Sequence, residues 1–450
     1  MASVSVLGFV FNTLISVWPL RPLMYEFKAL SLMFAINTLA STAVTTIMST
    51  SSQDWLDALY MQNVLRNYEN DDSIEVSEII VKPATAKGDN YGSEIYRVAV
   101  QFSRIKNGTK IDEEKSFIAK VALRLHAEMM MEVFVAELSL LHKILPKMNK
   151  IVEEFYPNGT PMSPRCLHVQ YETPCHAILE DLATLGFRMA DRRSGLDLDH
   201  ALLTMRNLGK FHASSIALME KEPGVLANYR KGTFHKDQPV VSMMLSSSLK
   251  SLATEVAKWP ELSPRIAEKI QNISEVIFQR ACEACEYTEG DFIILNHGDF
   301  WVNNMMFHYD EREKPDDQIL LDFQVSHLGS PAEDIIHFFN TSITEDVRIH
   351  HLDLLIREYH FSLVSTMNRF NCKTAPASLE NLNSALKKRE ICGVAVSMAI
   401  YPIMIMEKGV EVDLSDVLQT KFDNPAHRGE LFRKVMARLL PIYDSNGLLD

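Results

Sequence analysis

Residues 297–304, HGDFWVNN, lie between two apolar strand-like segments, and a third such segment, ILLD, ends at Asp322. A loop between two strands can point Asp299 and Asn304, five residues apart, into one cleft. The tip of a neighbouring strand can bring Asp322 beside them. Transfer of a phosphoryl group from ATP-Mg²⁺ to an alcohol needs a carboxylate to orient the attacking hydroxyl and accept its proton, and oxygen ligands for a hard cation. Asp299 fits the base. Asn304 and Asp322 fit the Mg²⁺ ligands, with Asp322 bridging the nucleotide phosphates. Either segment alone would pass for a solvated acid at a turn; their order and strand context together point to chemistry.

A cation is needed for the phosphates. Lys120 sits in the otherwise apolar strand SFIAKVAL, 116–123, and a lysine among such neighbours needs an anionic partner unless it reaches water at a sheet edge. Glu128, Glu132 and Glu137 share the following helix. Glu137 is preferred, because Glu132 is followed at once by the apolar run from Val133. Two strands before Lys120 lies GDNYGS, 88–93. Gly88, Asn90, Gly92 and Ser93 could bring backbone N–H groups to phosphate oxygens, although a plain hairpin turn reads the same way.

Periodicity predicts a helix over 54–67 and strands over 73–82, 95–105 and 115–123. The last two are joined by Asn107-Gly108, a hairpin signal. A helix over 129–145 should end at Pro146. A short buried strand spans 175–179. Helices follow over 199–219, with Asp197 or Asp199 as N-cap, then over 241–258 and 264–285. Strands at 292–295, 305–309 and 318–322 interrupt them before helices resume at Pro331. The domains expected are an apolar N-terminal extension (1–51), a small β-rich N-lobe (52–179) and a mainly helical C-lobe (180–450). The fold class is α+β. His212 reads as a core histidine more readily than as a cleft residue.

The formal net charge of −13, with no basic stripe, argues against nucleic acid as a partner. Cys282 and Cys285 form a lone C-x-x-C within a helical pattern, so the pair shares a helix face and lacks the partners of a zinc site. Residues 4–20 and 29–48 carry no charge. Membrane contact is therefore expected only through residues 1–50, as an anchor or as an appendage to a cytoplasmic enzyme.

From residue 52 onward the chain resembles the ecdysteroid kinase-like (CHK kinase-like) family, within the aminoglycoside phosphotransferase and choline kinase group. The resemblance is carried by 88–98, 117–121, 134–146, 179–182, 208–215, 297–304, 321–324 and the closing 447–450. It implies a protein-kinase-like bilobal fold, ATP as donor and a hydroxyl of a steroid or other lipophilic small molecule as acceptor. It implies Asp299 as base, Asn304 and Asp322 on Mg²⁺, and a phosphate-anchoring pair of Lys120 and Glu137. The segment 179–182, with Glu180, Asp181 and Leu182, would hold adenine through its backbone. His297 and Asp334 would brace the catalytic loop. Asp322-Phe-Gln stands where protein kinases have Asp-Phe-Gly, and the short run to Pro331 leaves no platform for a peptide, which favours a small acceptor. A choline- or ethanolamine-type acceptor, or a non-catalytic ligand-binding relative, are the competing expectations.

Overall fold

The computed structural model describes residues 54–84, 93–122, 128–157, 159–288, 290–406 and 423–450; the side chains of 128–130 are not described. The chain divides into two units, Met1–Tyr60 and Met61–Asp450. In the first, residues 54–60 are described, and 58–60 begin helix α1 (Ala58–Glu69).

The second unit opens with a five-stranded antiparallel sheet. Its strands are β1 (Glu75–Pro83), β2 (Ser93–Lys106), β3 (Thr109–Ala122), β4 (Cys166–Gln170) and β5 (His176–Glu180), in the order β1-β2-β3-β5-β4. Asn107 and Gly108 both take positive φ, 52° and 78°, and close β2 on β3 with Lys106 opposite Thr109. That is the tight turn that a right-handed strand twist favours.

Helix α2 (Glu128–Ser139) follows β3. Contrary to expectation, Pro146 does not end the helical run. A π turn, Leu140–Ile144, intervenes, and the chain continues as α3 (Leu145–Phe155) with the proline in its first turn. A proline inside a helix lacks one N–H and clashes with the carbonyl four residues back. The wider π turn re-spaces those carbonyls. The same device recurs at Pro402, which follows the π turn Val396–Ile400.

Beyond Glu180 the chain is mainly helical. A 3-10 turn, Leu182–Leu185, leads to β6 (Arg188–Met189) and the long α4 (Leu198–Lys221). Asp197 caps α4 by accepting from the His200 N–H at 3.0 Å. Next come α5 (Pro239–Val256), α6 (Pro264–Ile273) and α7 (Ile277–Cys285). The single helix expected over 264–285 is thus two, broken at 274–276. Strands β7 (Ile294–Asn296), β8 (Met305–Tyr309), β9 (Pro315–Leu320) and β10 (His327–Gly329) form two small sheets, β6-β8-β9 and β10-β7. Helices α8 (Ala332–Thr341), α9 (Glu345–His350) and α10 (Leu352–Arg369) complete the part that surrounds the site, and further helices run to α11 (Glu430–Ser445).

One apolar core runs through both lobes. Phe134 and Leu138 of α2, Leu179 of β5, Leu208 and Phe211 of α4, and Phe300 and Phe323 beside the small sheets all belong to it. Helices α4 and α10 meet closely at Gly209, where a Cβ would lie 2.8 Å from the Leu363 nitrogen and the Ser362 Cβ. The arrangement is α+β: a small β-rich lobe and a mainly helical one. No helix among the described residues is long and apolar enough to cross a membrane. The uncharged stretches 4–20 and 29–48 lie outside the described residues.

Candidate active site

Strand β3 carries Lys120 into the interior, opposite Ala177 of β5 and Ile95 of β2. Its Nζ donates to both carboxylate oxygens of Glu137 at 2.7 Å and to Asp322 Oδ1 at 3.2 Å. Burial alone would favour loss of the Lys120 proton. The carboxylates of Asp322 and Glu137 outweigh it and raise the pKa above the ordinary lysine range. Burial pushes Glu137 up, with Lys120 pulling the other way. Glu137 also accepts from the Phe323 N–H at 3.2 Å. One glutamate on α2 therefore ties the lysine strand to the segment carrying Asp322.

The 297–304 loop leaves β7 and enters β8. Gly298 has φ 87°, and a Cβ there would sit 2.2 Å from the Val325 carbonyl oxygen, so only glycine fits. Asn304 donates through Nδ2 to Asp299 Oδ2 at 2.8 Å and to the Asp299 carbonyl at 2.9 Å. This fixes one carboxylate oxygen of Asp299 and leaves the amide oxygen of Asn304 as its remaining polar atom. Burial raises the Asp299 pKa, and His337, His297 and Asn304 more than reverse that, so the carboxyl is held below its ordinary range.

The loop and the Asp322 segment are stitched together around Leu321. The Leu321 N–H donates to the Asn304 carbonyl at 2.9 Å. His297 Nε2–H donates to the Leu321 carbonyl at 2.8 Å, while its Nδ1 accepts from the Asp299 N–H at 3.3 Å. Both ring nitrogens are thus spent on bracing. Asp322 lies two residues past β9, not at a strand tip, and takes φ 60°. A non-glycine residue in that region costs energy and recurs at functional positions.

Asp334, at the start of α8, accepts from the His297 N–H at 2.7 Å and the Gly298 N–H at 2.8 Å. Its Oδ2 also receives His212 Nε2 at 3.1 Å, and His212 Nδ1 faces the Tyr359 hydroxyl at 2.8 Å. His212 is a buried core histidine, as its apolar helix face predicted. Burial lowers its pKa.

The Asp181 carboxylate is committed to partners within the chain. It is buried and accepts from Arg97 Nε at 2.7 Å, Ser116 Oγ at 2.6 Å and the Ala183 N–H at 3.2 Å. Its carbonyl takes the Thr184 hydroxyl at 2.7 Å. It clamps the connection between lobes onto β2 and β3. Glu180 ends β5, and Leu182 is buried just beyond. Ser93 is buried at the start of β2, whereas Gly88, Asn90 and Gly92 lie outside the described residues.

The structure thus brings Lys120, Glu137 and Asp322 together, and Asp299 and Asn304 together, with Leu321 joining the two sets. Two residues that sequence reasoning missed are His337 and His327. His337 lies on α8 one turn beyond Asp334, with Nε2 3.4 Å from Asp299 Oδ1. The i, i+3 spacing from Asp334 put it on the loop-facing side. Both ring nitrogens of His327 face acceptors, the Val325 carbonyl at 3.0 Å and Glu333 Oε2 at 2.9 Å, which requires the imidazolium form. Burial opposes that charge, and Glu333 raises the pKa past it.

Asn304 and Asp322 are a pair of oxygen donors, and no cluster of three His, Cys, Asp or Glu side chains suited to a metal occurs among the described residues. Such a donor set fits Mg²⁺, which takes one or two carboxylates and draws its other ligands from phosphates and water. Cys282 and Cys285 lie on α7. The described cysteines are free thiols, with the sulfurs of Cys285 and Cys392 3.5 Å apart.

A β-rich lobe that supplies a buried Lys–Glu pair, packed on a helical lobe that supplies an Asp–Asn loop, defines a kinase-like protein. The model of the ecdysteroid kinase-like family matches residues 87–372, and the chain belongs to that family. No curated protein matches it. Similar solved structures include the aminoglycoside phosphotransferase APH(2'')-Ib in its ADP-bound form, at 13% identity over 76% of this chain and 100% of that one, TM-score 0.32. The choline kinase LicA from Streptococcus pneumoniae shares 10% identity over 85% of this chain and 100% of its own, TM-score 0.34.

Proposed function

We propose that the chain transfers the γ-phosphoryl group of ATP to a hydroxyl of a small lipophilic alcohol, with a steroid alcohol as the leading class. The observation that carries this is the contact of Lys120 with both Glu137 and Asp322, next to the Asp299–Asn304 pair. Lys120 holds the α- and β-phosphates. Asn304 and Asp322 hold Mg²⁺, which when bound neutralises charge on the phosphates. Asp299 orients the acceptor hydroxyl and takes its proton. The segment 179–182 lies at the adenine, with Glu180 and Leu182 offering backbone groups and Asp181 holding the segment in place. Gly88, Asn90, Gly92 and Ser93 cover the phosphates. Residues 52–179 act as the N-lobe and 180–450 as the C-lobe. The reaction is cytoplasmic, with residues 1–51 outside the chemistry.

The test is a screen with labelled ATP over steroid alcohols, choline, ethanolamine and simple aliphatic alcohols. Label should pass to a steroid-type alcohol and not to choline. Transfer to choline alone would replace the acceptor. Absence of transfer to any alcohol, with ATP bound, would favour a non-catalytic ligand-binding protein. Cell fractionation of the full chain against one lacking residues 1–50 tests the location: equal release into the soluble fraction is expected, and retention of the full chain alone on membranes would contradict it.

A further inference from the structure

His337 is half-buried, and its Nε2, which is closed to solvent, makes no hydrogen bond among the described residues although it lies 3.4 Å from Asp299 Oδ1. A buried ring nitrogen left without a hydrogen bond is costly, and each such group calls for a reason. Its surroundings supply one. Asp299 Oδ2 is occupied by Asn304, so Oδ1 is the oxygen left for a substrate, and His337 is the side chain standing against it. The placement is not accidental. His337 is one turn past Asp334, whose carboxylate grips the His297 and Gly298 amides, so the helix and the loop that carry the two groups are fastened to each other. Asp299 keeps about a quarter of its side chain exposed and His337 about an eighth.

We propose that His337 is a catalytic residue that, with Asp299, clamps the acceptor hydroxyl from two sides; this deepens the phosphotransfer reading and rests on it. The hydroxyl O–H donates to Asp299 Oδ1. The same oxygen accepts a hydrogen bond from His337 Nε2–H. With one lone pair so engaged, the other is aimed at the γ-phosphorus. In the step, the acceptor O–H bond breaks and its proton passes to Asp299. The oxygen forms the new P–O bond, and the bond from the γ-phosphorus to the bridging oxygen breaks, its electron pair leaving with ADP. His337 keeps its own proton throughout. It differs from Asp299 in supplying orientation of the nucleophile and no base.

The experiment compares His337→Leu, His337→Gln and His337→Asn with wild type. It follows ADP formation from ATP-Mg²⁺ with a steroid alcohol or choline as acceptor, whichever takes label in the screen above, and with water alone, and thermal melting of each variant. Glutamine places an N–H near the position of Nε2; asparagine is too short to reach it. His337→Leu and His337→Asn should lose about 10- to 100-fold in kcat, the loss of one hydrogen bond to the reacting oxygen. The KM for ATP should stay within about twofold, and His337→Gln should recover most of the rate. Should the leucine variant not fold, the glutamine-versus-asparagine contrast decides. Wild-type kcat in His337→Leu or His337→Asn, equal losses in all three variants, or a loss confined to the ATP KM would each overturn the clamp. If wild type forms no more ADP than Asp299→Ala under either condition, the phosphotransfer reading itself fails and the clamp with it.

Discussion

Asp334 shows how one buried carboxylate sets a loop. It accepts from two successive backbone amides and from His212. Burial raises its pKa, and the His212 and Gly298 hydrogen bonds outweigh that and hold it below the ordinary range. Its contribution is therefore present above the ordinary carboxylate range and fades as pH falls below it. Asp334→Asn retains one acceptor oxygen and turns an NH₂ toward an N–H. Chemical denaturation should register a loss of about 1.5–3 kcal/mol, with slower turnover because the 297–299 turn is no longer pinned. An unchanged midpoint would mean that the loop holds itself. Lys120 shows the same balance for a cation. Two carboxylates keep a buried ammonium charged, which is the state a phosphate-binding lysine needs.

At the scale of elements, the turn that presents Asp299 depends on Gly298. Its φ of 87° and the 2.2 Å approach of the Val325 carbonyl exclude any side chain. Gly298→Ala should destabilise by about 1–3 kcal/mol or more and displace Asp299, read as a lowered melting temperature together with lost turnover. Normal melting and activity would show that the turn can open. The sequence made this loop legible because each of its residues sits in a strand–turn–strand context with little freedom. It also separated Glu137 from Glu128 and Glu132, since the apolar run after Glu132 sets which helix face turns inward. The short strands β4, β6 and β10 were not legible. Every residue of β4 is half-buried, so it lacks alternation, and β6 and β10 are two and three residues long. The π turns escaped because no residue type marks them; only the proline that follows hints at one. His337 escaped because its role depends on a contact between helix and loop 38 residues apart in the chain, which periodicity does not encode.

The whole molecule buries histidines that must stay neutral. His176 in the sheet and His427 in the helical lobe are each driven by burial down to about 4. The unfolded chain takes up these protons near pH 6.5 and the folded one does not, so stability present above pH 6.5 should be lost as pH falls from there to about 4. Melting temperature against pH should show this decline, and His427→Gln should flatten part of it; an undiminished slope in that variant would remove His427 from the account. The central claim is that two lobes assemble a phosphoryl-transfer site from Lys120, Glu137, Asp299, Asn304 and Asp322. Its most direct test sets ATP-Mg²⁺ affinity beside ADP formation in Asp299→Ala and Asp322→Ala. Asp299→Ala should bind ATP-Mg²⁺ within about threefold of wild type and turn over none of it, while Asp322→Ala should lose at least about tenfold in affinity, near 1.4 kcal/mol. Wild-type turnover in Asp299→Ala, or undiminished Mg²⁺-dependent binding in Asp322→Ala, would contradict the account.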